Sequence, residues 1–292
     1  IAVRFRSDSP VIAVKWENTF NNSMKHMAPV GIKGLDLYCF IDGKWRFVNS
    51  AQPSGKTNQW QIISGMDATE REYMLYLPLY DGIHSLQIGV AAPSHIGQPS
   101  LPYPDTRKPI VFYGSSITQG ACASRPGMAA TNLIGRKLNV ETINLGFSGN
   151  AFIDYEVAEM MAHVDASAYV LDYVPNASPE QILEKTEKFV RILREKHPDV
   201  PWIFVGGPIF AHSKFDLRMA KEIKDKNDAM NQAFSSLKKQ GLKKIYLVKG
   251  RSLISANGES TVDGIHFTDC GFEQYVDAIL PILKKAINHK KK

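Results

Sequence analysis

A change of rhythm across a proline-rich stretch limits the fold of this chain more than any other feature. Between Ala91 and Pro109, five prolines (Pro93, Pro99, Pro102, Pro104 and Pro109) break up a segment with almost no periodicity, the composition of a linker. Apolar residues alternate with polar ones before it and run on continuously after it. A length of 292 residues is about twice the roughly 150 of a typical domain, so two units are expected, over 1–104 and 105–292.

Before the prolines, the runs at 3–6, 11–16, 34–40 and 73–77 are short, rich in β-branched and aromatic residues and largely of period two, which reads as strands. Asp42-Gly43 is a hairpin signal between Tyr38-Cys39-Phe40 and Trp45-Arg46-Phe47, and Asp81-Gly82 is a second turn signal joining 73–79 to 84–90. No segment carries a helical stripe. This half is expected to be an all-β sandwich of jelly-roll type.

After the prolines, apolar runs at 110–113, 142–145, 168–174, 202–205 and 244–248 are mostly continuous, as in parallel strands covered on both faces. Helical patterns fill the gaps. Ser178-Pro179-Glu180-Gln181 is a capping box with proline at the first helical position, and Ile182, Thr186, Phe189 and Leu193 follow on one face. Met219, Ile223, Met230, Phe234 and Leu237 mark a second helix, and Tyr275, Ile279, Leu283 and Ile287 a third; these stripes read as core. Five strands alternating with helices specify a doubly wound parallel α/β sheet, whose ligands lie at the carboxyl ends of the strands.

Composition excludes several alternatives. Hydrophobic residues at 44% and charged residues at 22% are those of a globular protein, and no run approaches the roughly 18 apolar residues of a membrane-spanning helix. The net charge of +6 would raise nucleic acid as a partner, but Lys290, Lys291 and Lys292 supply half of it, and no basic segment is interleaved with aromatics. Nucleic acid is therefore not expected. Cys39, Cys122 and Cys270 show no CxxC spacing, which argues against a zinc ribbon or a thioredoxin-like site. The chain opens on Ile1, so export after removal of a signal peptide is the expectation, with Cys122–Cys270 the candidate disulfide in that case.

The strand-end loops carry the chemistry. The first strand turns sharply through Gly114-Ser115-Ser116-Ile117-Thr118, presenting hydroxyls that either cap the next helix or serve as a nucleophile. The last loop, Asp263-Gly264-Ile265-His266, places an acid three residues before a histidine, so the carboxylate can turn back to one imidazole nitrogen while the other faces a hydroxyl. The other seven histidines lack this arrangement. Acyl transfer also needs donors for an oxyanion, each worth roughly 3 kcal/mol of barrier, and two loops can supply them: 144–150, where a glycine lets a backbone N–H approach closely, and 172–176, which ends in an Asn amide. Arg125, just after the first loop, either lines the site or makes a structural pair.

Taken together, these four loops resemble the SGNH (GDSL-like) hydrolase superfamily, whose blocks contribute Ser, Gly, Asn and His in this chain order. Gly114-Ser115-Ser116-Ile117-Thr118 is similar to the Gly-Asp-Ser block, with Ser115 where many members have Asp; Asp263 and His266 match the terminal DxxH; the loop before Asn176 lacks the usual Gly. Gly34-Leu35-Asp36-Leu37-Tyr38 resembles the GxDLY signature of a β-domain that precedes some bacterial members. The resemblance implies a flavodoxin-like catalytic domain with no metal or organic cofactor. It also implies a Ser116–His266–Asp263 triad and an oxyanion hole from Ser116, Gly149 and Asn176.

The implied activity is hydrolysis of small acyl esters, O-acetyl on carbohydrates, with a small-molecule or glycan ester as partner. A lipase or thioesterase acting on longer chains is the alternative, as is a non-catalytic carbohydrate-binding protein. Trp16, Trp45 and Trp60 are candidate glycan contacts in the β-domain.

Overall fold

The computed structural model describes residues 1–101 and 108–288. The expected boundary near Pro104 and the terminal lysines Lys290–292 lie outside the described residues.

The N-terminal half contains β1 (Ala2–Ser7), β2 (Ile12–Asn18), α1 (Pro29–Lys33), β3 (Leu35–Ile41), β4 (Lys44–Ala51), β5 (Thr57–Ile63), β6 (Arg71–Tyr76), β7 (Ile83–Val90) and β8 (Ile96–Gly97). They form two antiparallel sheets, in the orders β4-β3-β6-β1-β8 and β5-β2-β7. Inward side chains of both sheets meet in one core of Phe5, Leu37, Tyr73 and Leu75 from the first and Ile12, Val14, Trp16 and Ile62 from the second. Period-two alternation makes this possible, since it gives each strand one apolar face. Asp42 and Gly43 both have positive φ, 52° and 73°, and close the β3–β4 hairpin as expected.

Asp81-Gly82 is a turn but not a hairpin, because β6 and β7 belong to different sheets. The Asp81 carboxylate accepts hydrogen bonds from the backbone N–H groups of Phe20 (2.9 Å) and Asn22 (2.8 Å), anchoring the 19–28 loop instead. Three elements of this half were not anticipated: β5, where Gln59-Trp60-Gln61 dilutes the apolar signal, the five-residue α1, too short to show a stripe, and the two-residue β8, which lies inside the stretch read as linker.

The C-terminal half contains β9 (Ile110–Gly114), α2 (Ser116–Gln119), α3 (Ala130–Leu138), β10 (Thr142–Gly146), α4 (Tyr155–Met161), β11 (Ala168–Asp172), α5 (Pro179–Lys196), β12 (Trp202–Val205), α6 (Leu217–Lys239), β13 (Ile245–Val248) and α7 (Asp269–Asn288). The sheet is parallel throughout in the order β10-β9-β11-β12-β13, a flavodoxin-like winding. Its strands are apolar on both faces because both are covered. Ile110 and Phe112 pack with Ile134, Ile279 and Leu283 on one side, and Val111 and Tyr113 with Phe189, Leu193 and Met230 on the other. The capping box at Ser178 is formed in full.

The halves are joined by buried polar contacts. Asp36, fully buried on β3, accepts hydrogen bonds from Arg125 Nη1 (3.0 Å), the Gly127 backbone N–H (2.8 Å) and Ser50 Oγ (2.9 Å). The Tyr38 hydroxyl also accepts from Arg125 Nη1 (2.5 Å), and the guanidinium lies 3.8 Å over the Phe47 ring. Trp16 is buried in the β-core, where its indole N–H donates to the Lys33 carbonyl, so it offers no glycan platform; Trp60 is more than a third exposed. Among the described residues no helix is long and apolar enough to cross a membrane.

Candidate active site

At the carboxyl end of β9 the chain must turn within a residue to enter α2. A Cβ on Gly114 would lie 2.1 Å from Thr118 Oγ1 and 2.7 Å from the Asp172 carbonyl oxygen, so only glycine fits beneath this turn. Ser115, where the related blocks carry Asp, caps α2: its Oγ accepts from the Ile117 N–H at 3.2 Å. The turn leaves Ser116 at the start of α2, largely buried but facing a cavity.

Ser116 Oγ lies 3.0 Å from His266 Nε2, and His266 Nδ1 lies 2.7 Å from Asp263 Oδ2. Asp263 Oδ1 also accepts from the backbone N–H groups of Ile265 (3.0 Å) and His266 (2.8 Å), so the DxxH loop folds onto its own carboxylate. Partial burial pushes this carboxyl up. The hydrogen bonds from the His266 ring and from the two backbone N–H groups outweigh that and hold it at about 2. An ionised Asp263 can only accept, which puts the proton of a neutral imidazole on Nδ1 and leaves the Nε2 lone pair for the Ser116 hydroxyl.

Ser116, Gly149, Asn176 and His266 line one cavity of about 350 Å3. Gly149 has φ +70°, a conformation that favours glycine, and sits in the exposed loop after β10. Asn176 Oδ1 accepts from the Ala151 N–H at 3.3 Å, which leaves its Nδ2 group as the available donor. The missing Gly before Asn176 therefore does not displace it. Lys226 ties α6 to the same loop by donating to the Pro175 carbonyl (3.1 Å) and pairing with Glu222 (2.7 Å).

Sequence reasoning missed the walls of this cavity. Ile117, Val174, Pro208, Phe210, Met219, Ile223 and Ile265 make them largely apolar. Met219 and Ile223, read as core, do pack with the core and also border the cavity from the first turns of α6; apolar periodicity does not distinguish a core from an apolar pocket.

Arg125 does not line the cavity; it makes the structural pair with Asp36, because that buried carboxylate needs a counter-charge. The candidate Cys122–Cys270 disulfide is also not formed. Cys122 is a buried thiol donating to the His26 carbonyl (3.3 Å), whereas Cys270 is exposed on α7 beside Gln274. Burial, reinforced by the Asp263 charge, pushes the Cys122 thiol up to about 12, so it is no rival nucleophile. His26, set aside in the sequence, comes from the 19–28 loop of the β-half to 5.3 Å from the His266 ring. Below the nucleophile turn, Asp172 Oδ2 accepts from Tyr275 (2.6 Å) and Thr118 (2.9 Å).

Comparison with known proteins identifies the family and the fold. Residues 107–284 match the GDSL-like lipase/acylhydrolase family, and residues 1–96 match the N-terminus of SGNH-hydrolase-type esterases. A solved structure described as a GDSL-like lipase from Bacteroides ovatus ATCC 8483 is 40% identical, with a TM-score of 0.94 over 98% of this chain and 84% of that one. The salicylyl-acyltransferase of a tetracycline biosynthetic pathway shares the fold at 16% identity (TM-score 0.73; 97% and 82% covered). A family two carbohydrate esterase from Clostridium thermocellum, solved with cellohexaose, shares it at 12% (TM-score 0.65; 98% and 92%). No significant match was found among curated proteins. On the family match over most of its C-terminal half and the 40% identity along nearly its whole length, the chain belongs to the GDSL-like lipase/acylhydrolase family.

Proposed function

We propose that this protein is a serine esterase that removes small acyl groups, acetyl foremost, from carbohydrate hydroxyls. The observation that carries the reading is the Ser116–His266–Asp263 relay opening into a cavity shared with Gly149 and Asn176. In the proposed mechanism Ser116 Oγ attacks the ester carbonyl carbon as its proton passes to His266 Nε2. The oxyanion is held by the backbone N–H groups of Ser116 and Gly149 and by Asn176 Nδ2. Collapse expels the alcohol, which takes the proton from His266. Water then attacks the acyl-enzyme with His266 as base, releasing the carboxylate and restoring Ser116.

The fold shared with carbohydrate esterases supports a glycan as the alcohol side. Ser116→Ala is expected to lower turnover of acetyl esters by about 10⁴-fold or more while leaving the fold intact. Retained turnover removes Ser116 from the role.

A second reading, a larger apolar acyl group, is favoured by the cavity itself. Its walls are apolar although no single apolar segment builds them: separate loops and α6 each contribute a few residues. Rates on acetyl and octanoyl esters of one alcohol decide between the two. Faster acetyl cleavage supports the first reading; faster octanoyl cleavage that collapses on Met219→Trp supports the second.

A further inference from the structure

Beside the catalytic residues, one ligand atom from each of His26, Cys122 and His266 lies within 4.8 Å of the other two. We infer that this cluster is a binding site for a thiophilic divalent cation of the zinc type, and that its occupation switches the esterase off. Zn2+ takes thiolate and imidazole ligands at about 2.0–2.3 Å in a tetrahedron, which sets its ligand atoms roughly 3.5 Å apart. The atoms here must close by only about an ångström. His26 is exposed, so its ring can make that adjustment, whereas Cys122 is buried and fixed at the end of the nucleophile turn.

Two features set the cluster apart from a chance meeting. Its ligands come from both halves of the molecule, His26 from the β-half and the other two from the α/β half. Cys122 also has φ +66°, uncommon for a residue with a side chain, in the turn that delivers its sulfur to this spot. On binding, Cys122 Sγ loses its proton to solvent and a fourth position remains for water. The cation is an inhibitor here, not a cofactor.

The inhibitory consequence rests on the proposed role of His266. Its Nδ1 serves Asp263 and its Nε2 serves Ser116, so a metal on either nitrogen displaces a catalytic partner. A metal-bound imidazole cannot accept the Ser116 proton. The soft thiolate favours zinc over magnesium or calcium, which take oxygen ligands.

Calorimetric titration of the full chain with Zn2+ under thiol-reducing conditions tests the site without reference to turnover. One cation per chain at about micromolar affinity or tighter is expected, weakened at least tenfold in both Cys122→Ala and His26→Ala, with no response to Mg2+. No binding, or binding unchanged in those variants, overturns the proposal. Ester hydrolysis by the same samples reads the consequence. Activity should fall in step with zinc occupancy, return with a chelator, and become at least tenfold less zinc-sensitive in both variants. Occupancy without inhibition would overturn the switch and count against His266 as the base, while leaving the metal site in place.

Discussion

At the scale of single residues, Asp263 and Asp172 are shifted in opposite directions by their surroundings, and the contrast is testable. Asp263 is ionised by the donors around it, so it fixes the His266 tautomer throughout the working range. Asp263→Asn keeps the shape but presents a donor where the ring needs an acceptor, and kcat should fall by about 10³–10⁴-fold with KM little changed. A measured loss under tenfold would contradict the orienting role. Asp172 is fully buried, and burial raises its carboxyl to about 7 against the hydrogen bonds from Tyr275 and Thr118. The native state thus keeps a proton that the unfolded chain gives up near 3.8, so stability should fall as pH rises from about 4 to 7 and then level off. Asp172→Asn retains an oxygen for both donors and should remove that fall, as denaturant titrations across the pH range would show. Equal slopes in the two proteins would count against it. Ser116, Asp263 and His266 were legible in the sequence because the first sits in the turn directly after β9 and the other two share the local DxxH spacing just before α7. His26 was not, since its proximity to His266 arises only when the two halves meet.

Among elements, β3 explains why the GxDLY segment has the residues it has. Leu37 faces the sandwich core, while Asp36 and Tyr38 reach the other half through Arg125 and Gly127. Asp36→Ala would strand a guanidinium and a buried N–H, and should destabilise the protein by about 3–5 kcal/mol. A cost below about 1 kcal/mol in chemical denaturation would show that this pair does not join the halves. Sequence periodicity located the parallel strands well because burial on both faces leaves continuous apolar runs. It read the α6 stripe as core, which it is, but could not show that Met219 and Ile223 also border an apolar cavity, because both surroundings give the same spacing. It also could not tell that Asp81-Gly82 changes sheets, because turn chemistry records a reversal but not the partner strand.

The whole molecule places a β-sandwich against the nucleophile end of an α/β sheet, and the sandwich does more than support it. Its Tyr80 hydroxyl donates to the Ser116 carbonyl (3.4 Å), and its 19–28 loop sets His26 beside His266. The passage from antiparallel to parallel sheets was legible from the change of rhythm; the packing of the two halves was not, because it depends on single polar residues scattered through both. With Asp36 buried between them, the halves should unfold in one cooperative transition, and two separated calorimetric transitions would contradict that coupling. The proposed catalysis rests on Ser116 as a nucleophile activated by His266. The most direct measurement of that role is mass analysis of the intact protein after treatment with a serine-directed fluorophosphonate. One adduct, mapped to Ser116, absent in Ser116→Ala and strongly slowed in His266→Ala, is the expected result; no adduct on the folded protein, or one that persists in Ser116→Ala, would contradict it.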